Sequence, residues 1–219
     1  ELAYFESTAA KLAAWPSCSV GRPILLYGTE EQKRKYLTPL CQGKLFGAPA
    51  ITEAHSGTDI VRNMETTVTK QGGKYILNGS KMWVSNVNSD DFFLTYGTLD
   101  KSKGMYGITG FIVEKNWPGV TVKPIKNIHG ARSMNVAEVV FDNVEVPEEN
   151  RIGNEGEGYK LLMCGVEIAR LACAAIANGL IQACLDASVE YAKQRNVFGQ
   201  PIGKFQLVQA KIANMRVSL

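Results

Sequence analysis

The chain has 219 residues, 45% of them hydrophobic, with 24 basic against 21 acidic side chains and a formal net charge of +3. That length can bury a sizeable core, and so small and dispersed a charge argues against a polyanion-binding class, so no nucleic-acid partner is expected. The most apolar stretch, 171–185, is interrupted by Asn178, Gly179 and Gln182 and is too short to cross a bilayer, so no membrane span is expected either.

The opening Glu1-Leu2-Ala3-Tyr4 carries no initiator methionine, basic leader or cleavage site and reads as a cut end. Residues 1–43 read as helical. An alanine-rich run over 3–14 is interrupted at Pro16 and Pro23, and a second segment opens at Thr29, where Gln32 three residues on spells a capping box. From about Leu45 the apolar period falls to two, with β-rich runs at 65–69, 75–77, 82–84, 92–96, 108–113 and 136–146. Gly72-Gly73, Asn78-Gly79, Lys103-Gly104 and Pro118-Gly119 mark turns between them, which predicts an antiparallel sheet domain over 44–150. Beyond Pro147 and the Gly153, Gly156 and Gly158 cluster, apolar residues recur at three and four from Tyr159 to about Ala192, predicting a long helix packed inside a bundle. A loop follows over 196–203, a last helix begins at Phe205, and the chain stops at Leu219 in mid-pattern, a second cut end.

Helices segregated from an antiparallel sheet make this an α+β chain in three segments, 1–43, 44–150 and 151–219. The five cysteines are odd in number and form no C-x-x-C, so they read as small buried hydrophobes in a reducing compartment. Neither His55 nor His129 stands at metal-ligand spacing, and no metal is expected.

Five segments can carry chemistry. Ala50-Ile51-Thr52-Glu53-Ala54-His55-Ser56-Gly57-Thr58-Asp59 ends a strand in a loop of hydroxyls and small residues; it is either an ordinary polar loop or a set of N–H and O–H donors for an anionic or carbonyl-rich ligand. Lys81-Met82-Trp83-Val84-Ser85-Asn86 places a tryptophan and, two residues on, a hydroxyl on one strand face; this is a core aromatic or a flat plate suited to a flavin. Gly153-Asn154-Glu155-Gly156-Glu157-Gly158-Tyr159 lacks the spacing and the βαβ surroundings of a dinucleotide loop and reads as a domain junction. Glu167 and Arg170 lie three apart on one helix face, as an ion pair or as part of a ligand cavity. Arg195-Asn196-Val197-Phe198-Gly199-Gln200-Pro201-Ile202 with Phe205-Gln206 pairs an arginine fork with aromatics, as a pyrophosphate and adenine site would need or as a helix end and core would produce.

Taken together, in this order and spacing over about 28–215, these segments resemble the acyl-CoA dehydrogenase family, joined by the match of Gly130-Ala131-Arg132-Ser133 to the family's Gly-x-Arg-x-Ser. Arg62 departs from the first signature, where the family has a small residue. The resemblance implies an FAD site built from Ala50, Ile51, Thr52, Thr58, Trp83, Val84 and Ser85, with Trp83 against the isoalloxazine and Ser85 in place of a threonine near N5. It implies that Arg195, Val197, Phe198, Phe205 and Gln206 reach the FAD of a neighbouring subunit, hence a homo-oligomer, dimer or tetramer. Thr58, Glu167 and Arg170 would line the acyl-CoA site, Glu167 standing where the family has a shorter aspartate.

The implied reaction is oxidation of a thioester at its α and β carbons, with a carboxylate taking the α proton and an electron-transfer flavoprotein as acceptor. The usual base is a glutamate placed beyond Leu219. Some members carry it immediately before the helix arginine, where this chain has Ala169, and Glu167 points about 200° away from that position. Ala9-Ala10-Lys11-Leu12-Ala13-Ala14 stands where glutaryl-type members hold a distal carboxylate with arginine and serine, which argues against a dicarboxyl substrate. A bacterial cytoplasm or a mitochondrial matrix fits. Other readings are a non-catalytic flavin-binding or oligomer-forming domain, and a dehydrogenase of carrier-protein-tethered acyl groups.

Overall fold

The computed structural model describes residues 1–87 and 91–219. Its contacts divide the chain into two compact units, one of Leu12–Ala169 and one of Glu1–Lys11 with Arg170–Leu219. Helices α1 (Leu2–Phe5) and α2 (Ser7–Trp15) open the chain. The second continues through a π-helical stretch, Pro16–Gly21, into α3 (Arg22–Tyr27).

The capping box forms as the sequence spells it. Gln32 N–H donates to Thr29 Oγ1 at 3.2 Å and Thr29 N–H to Gln32 Oε1 at 3.0 Å, starting α4 (Glu30–Gln32), which runs through π-helical Lys33–Leu37 into α5 (Thr38–Cys41). Gln32 is buried, and its amide nitrogen also donates to the carbonyls of Glu149 at 2.7 Å and Arg151 at 2.8 Å. The cap therefore fastens the start of α4 to the 149–151 segment.

The sheet is built from β1 (Gly47–Ala50), β2 (Thr67–Gln71), β3 (Lys74–Val84), β4 (Phe92–Thr98), β5 (Ile108–Glu114), β6 (Val120–Pro124), β7 (Ala137–Pro147) and β8 (Arg151–Ile152), with the short helix α6 (Ile60–Asn63) between the first two strands. Strands run in the order β6-β7-β3-β2-β4-β5-β8, with β1 beside β4. Pairing is antiparallel, as expected, except that β1 lies parallel to β4 and Thr67 of β2 meets Thr98 of β4 in parallel. Strands β6 and β8 have no counterpart in the runs read from the sequence; their burial is too slight or their length too short to leave an alternating pattern.

One expected turn is overturned. Asn78-Gly79 does not end a strand; β3 runs through it with a bulge between Leu77 and Gly79. Gly79 has φ +147°, and a Cβ there would lie 2.7 Å from Thr66 Cα, so the glycine serves a close backbone approach inside a strand. The hairpin of β4 and β5 is buried on both faces. Phe93, Phe111 and Val113 join one apolar cluster with Tyr75, Leu77, Val139 and Phe141. Phe92, Leu94, Tyr96, Ile108 and Ile112 join a second with Val20, Ile24, Tyr36 and Leu161. The period of two thus sorts one hairpin into two cores.

In the other unit, α1 packs on the latter part of α7 (Gly158–Gln194). Gly179 sits where a Cβ would come within 2.8 Å of Ala3 Cβ, and Tyr4 Oη donates to Asp186 Oδ2 at 3.0 Å. A two-stranded hairpin, β9 (Asn196–Val197) and β10 (Gln200–Pro201), leads to α8 (Gln206–Ser218). At 37 residues, α7 runs well beyond the 171–185 stretch read from the sequence and is long and apolar enough to cross a membrane by length and composition alone, which does not make it a membrane span. The expectation of a helix packed inside a bundle is met only in part, for Leu171 is 67% exposed. Nor are the cysteines uniformly buried: Cys41, Cys173 and Cys184 are exposed, Cys164 is half-buried, and Cys18 is buried. Periodicity reports which residues are small and apolar, not how many neighbours exist to cover them.

Candidate functional site

Two of the five segments are joined by direct hydrogen bonds. Met82 N–H donates to the carbonyl of Thr52 at 2.7 Å, bringing the loop after β1 alongside the end of β3. Beneath this contact Glu53 and Lys81 form an ion pair at 2.7 Å with side chains 3% and 0% exposed. Glu53 Oε1 also accepts from the Thr66 hydroxyl at 2.6 Å and the Thr66 N–H at 3.0 Å, and Oε2 accepts from Glu65 N–H at 2.5 Å. Burial alone would raise the Glu53 pKa, but the Lys81 charge and these donors hold it below the usual carboxylate range. Burial pushes the Lys81 ammonium down to about 8 against the pull of Glu53, so the pair is ionised at neutral pH.

The strand changes course at Trp83. Odd-numbered residues of β3 point inward at Tyr75, Leu77 and Lys81, and alternation would bury Trp83 as well. A second irregularity, between Lys81 and Val84, breaks the register against β7. Trp83 adopts φ +62° and stands 58% exposed, while Val84 turns into the core. The plain alternation that would put Trp83 and Ser85 on one face is therefore interrupted, and Ser85 lies past the end of β3, half-buried. Just beyond, Asn86 N–H donates to the Met134 carbonyl at 2.7 Å, and Val87 borders a recess of about 630 Å³ lined also by Lys126, His129, Arg132 and Asn135.

Other expected cofactor residues fall into two groups. Ala50 and Val84 are buried in the apolar cluster, and the Ala50 carbonyl accepts from the Thr95 hydroxyl at 2.9 Å. Ile51 and Thr52 are half-buried and Thr58 is exposed, at the end of a loop closed by paired Glu53 and Ser56 backbone bonds. Together these supply an exposed indole beside hydroxyls and backbone donors, a surface that fits the flat rings and phosphates of a flavin nucleotide.

In the helical unit, Phe198 and Gly199 form the two-residue tip of the β9–β10 hairpin with φ +52° and +78°, the positive pair that a tight hairpin turn needs. Phe198 is 92% exposed and meets Phe205 edge-on at 6.5 Å. Arg195 and Gln206 are exposed and Val197 is half-buried. On α7, Glu167 falls in the sheet-bearing unit and Arg170 in the helical one, and each is exposed. The junction glycines pack closely: Gly156 N–H donates to Thr109 Oγ1 at 3.0 Å, and a Cβ on Gly158 would meet Thr109 N at 2.7 Å.

Glu53 and Lys81 lie in the segments 50–59 and 81–86 singled out above, but neither has a role there. The signal was available: Lys81 shares the parity of Tyr75 and Leu77, and a lysine on an inward face requires a buried carboxylate.

Three family models match the chain in order: acyl-CoA dehydrogenase N-terminal domain over residues 1–44, middle domain over 48–144 and C-terminal domain over 156–219. An acyl-CoA dehydrogenase of Bacillus subtilis (strain 168) is 44% identical over 198 residues, 90% of this chain and 52% of that protein. The prolyl acyl carrier protein oxidase AnaB aligns with a TM-score of 0.94 at 39% identity, over 99% of this chain and 57% of that one. An FAD complex of PigA aligns with a TM-score of 0.94 at 32% identity, again over 99% and 57%. The chain spans about half the length of the curated relatives it matches.

Proposed function

Because this chain belongs to the acyl-CoA dehydrogenase family, we propose that it forms the flavin-binding part of an enzyme that oxidises an acyl thioester at its α and β carbons. The observation that carries the reading is Trp83, an exposed aromatic held in a left-handed backbone next to the Thr52 loop. FAD, when bound, supplies a two-electron acceptor. Trp83 gives the ring system a flat wall; Thr52 and Ser85 offer hydroxyls and Ala50, Ile51 and Val84 their backbones; Thr58 stands free to meet a phosphate or the substrate. Arg195, Val197, Phe198, Phe205 and Gln206 present charge and aromatic surface to the cofactor of a neighbouring subunit, and the 92% exposure of Phe198 supports such a covered position in a homo-oligomer. Glu167 and Arg170 are assigned to the thioester's surroundings.

The proton-accepting carboxylate is assigned to a glutamate outside this sequence, since Ala169 occupies the alternative position next to Arg170. An electron-transfer flavoprotein as acceptor, a bacterial cytoplasm or mitochondrial matrix, and the three segments 1–43, 44–150 and 151–219 as domains complete the proposal. The likeness to AnaB favours one second reading, an acyl group tethered to a carrier protein, since both substrates share the pantetheine thioester.

Titrating the purified chain with FAD, followed by an anaerobic addition of acyl-CoA, tests this. FAD binding with Trp fluorescence quenching is the expected result, with no flavin bleaching at enzymatic rates. A chain that fails to bind FAD overturns the cofactor assignment. Rapid bleaching overturns the placement of the base and, with it, the alternative of a non-catalytic domain.

A further inference from the structure

Trp83 is an energetic anomaly. At φ +62° a bulky side chain is strained, and such backbone persists only where its surroundings over-determine it. The restraints are visible on both sides. Lys81, two residues earlier, is fully buried on Glu53 at 2.7 Å; Met82 is tied to Thr52 at 2.7 Å; Asn86 is tied to Met134 at 2.7 Å. Glu53 in turn is satisfied by Lys81, the Thr66 hydroxyl and the amides of Glu65 and Thr66. We propose that Glu53 and Lys81 are positioning residues: their buried ion pair fixes the Thr52 loop against β3 and forces Trp83 outward.

Geometry supports this over a purely stabilising role. A buried ion pair is weak support for stability, because hydrophobic replacement of both partners is often neutral or favourable. What the pair supplies here is direction. Lys81 points inward, where its ammonium meets the Glu53 carboxylate, and the register break between Lys81 and Val84 follows directly, with Trp83 inside it. Glu53 follows Thr52 directly, so the same bond places the loop hydroxyl and the indole relative to one another. The FAD arm of the test rests on the cofactor reading above; the other arm does not.

The test uses the full chain labelled with 5-fluorotryptophan, whose three tryptophans are Trp15, Trp83 and Trp117, with Trp83→Phe to assign the resonance. Lys81→Met strands a buried carboxylate and can cost the fold, so the double variant Glu53→Gln/Lys81→Met, which leaves no unpaired charge, is made beside it. The expected result for the double variant is a displaced or broadened Trp83 fluorine signal, unmoved Trp15 and Trp117 signals, and an FAD Kd raised at least tenfold with thermal stability near that of the parent. A folded double variant with all three signals in place and FAD affinity within twofold of the parent overturns the proposal. If the parent chain binds no FAD, the cofactor reading falls and the fluorine signal alone decides the positioning role.

Discussion

The two compact units handle their candidate residues in opposite ways. In the sheet-bearing unit, Thr52 and Trp83 are held by bonds internal to that unit, over a β4–β5 hairpin whose residues are nearly all buried. In the helical unit, Arg195, Phe198 and Gln206 stand out on a hairpin and the first turn of a helix, while Leu207 is 81% exposed and Val217 87%. Thr52 and Trp83 are thus preorganised by the fold of their own unit. The other carries its charged and aromatic side chains outward on a short hairpin, where the Phe198–Phe205 edge contact is internal to the unit.

Urea unfolding followed by circular dichroism breaks or sharpens this contrast. Phe111→Ala removes a fully buried β5 ring that packs against Tyr75 and is expected to cost about 3–5 kcal/mol. Thr66→Val deletes the hydroxyl that donates to Glu53 at 2.6 Å and is expected to cost about 1–3 kcal/mol, since the buried carboxylate loses a donor. In that unit stability also depends on acid. The folded Glu53 releases its proton more readily than the unfolded one, so its contribution is complete above the ordinary carboxylate range and is lost as pH falls through the lowered value. Lys81, at about 8 when folded, adds a rise in stability from there toward the unfolded lysine value. A urea midpoint that climbs with pH through both windows is expected, and a flat midpoint across the acid window contradicts the buried pair.

Smaller effects come next. Thr29→Ala removes the cap acceptor and is expected to cost about 1 kcal/mol. Phe198→Ala, at the exposed hairpin tip, is expected to change stability by less than about 0.5 kcal/mol. It should nonetheless weaken self-association in analytical ultracentrifugation. A Phe198→Ala loss as large as that of Phe111→Ala would erase the distinction between the two units.

Much of this was legible in the sequence because local rules and tertiary outcome agree. Thr29 and Gln32 spell a cap and form one; the alternation through 92–96 and 108–113 sorts into two buried faces; the order of helical, β and helical segments is observed. The failures have physical causes. Asn78-Gly79 has the composition of a turn, but Thr66 packs where a glycine alone leaves room, and the strand continues. Trp83 escapes alternation because a lysine two residues back is claimed by Glu53, a partner 28 positions away. Cys173 and Cys184 obey helical apolar spacing yet stay exposed, since spacing cannot supply the surfaces that would cover them. Nonlocal partners decide each of these, and a pattern read along one segment does not contain them.

Gln32 has a consequence for how the chain assembles in time. Its carbonyl oxygen closes a turn three residues long, while its amide nitrogen reaches carbonyls 117 and 119 positions downstream. During synthesis the first bond becomes available as soon as the segment emerges, but the second must wait for Arg151. Loop-closure entropy grows only slowly with length, so the wait, more than the entropy, separates the two events. Helix α4 is therefore started by a side chain that remains half employed until the last strand of the sheet arrives.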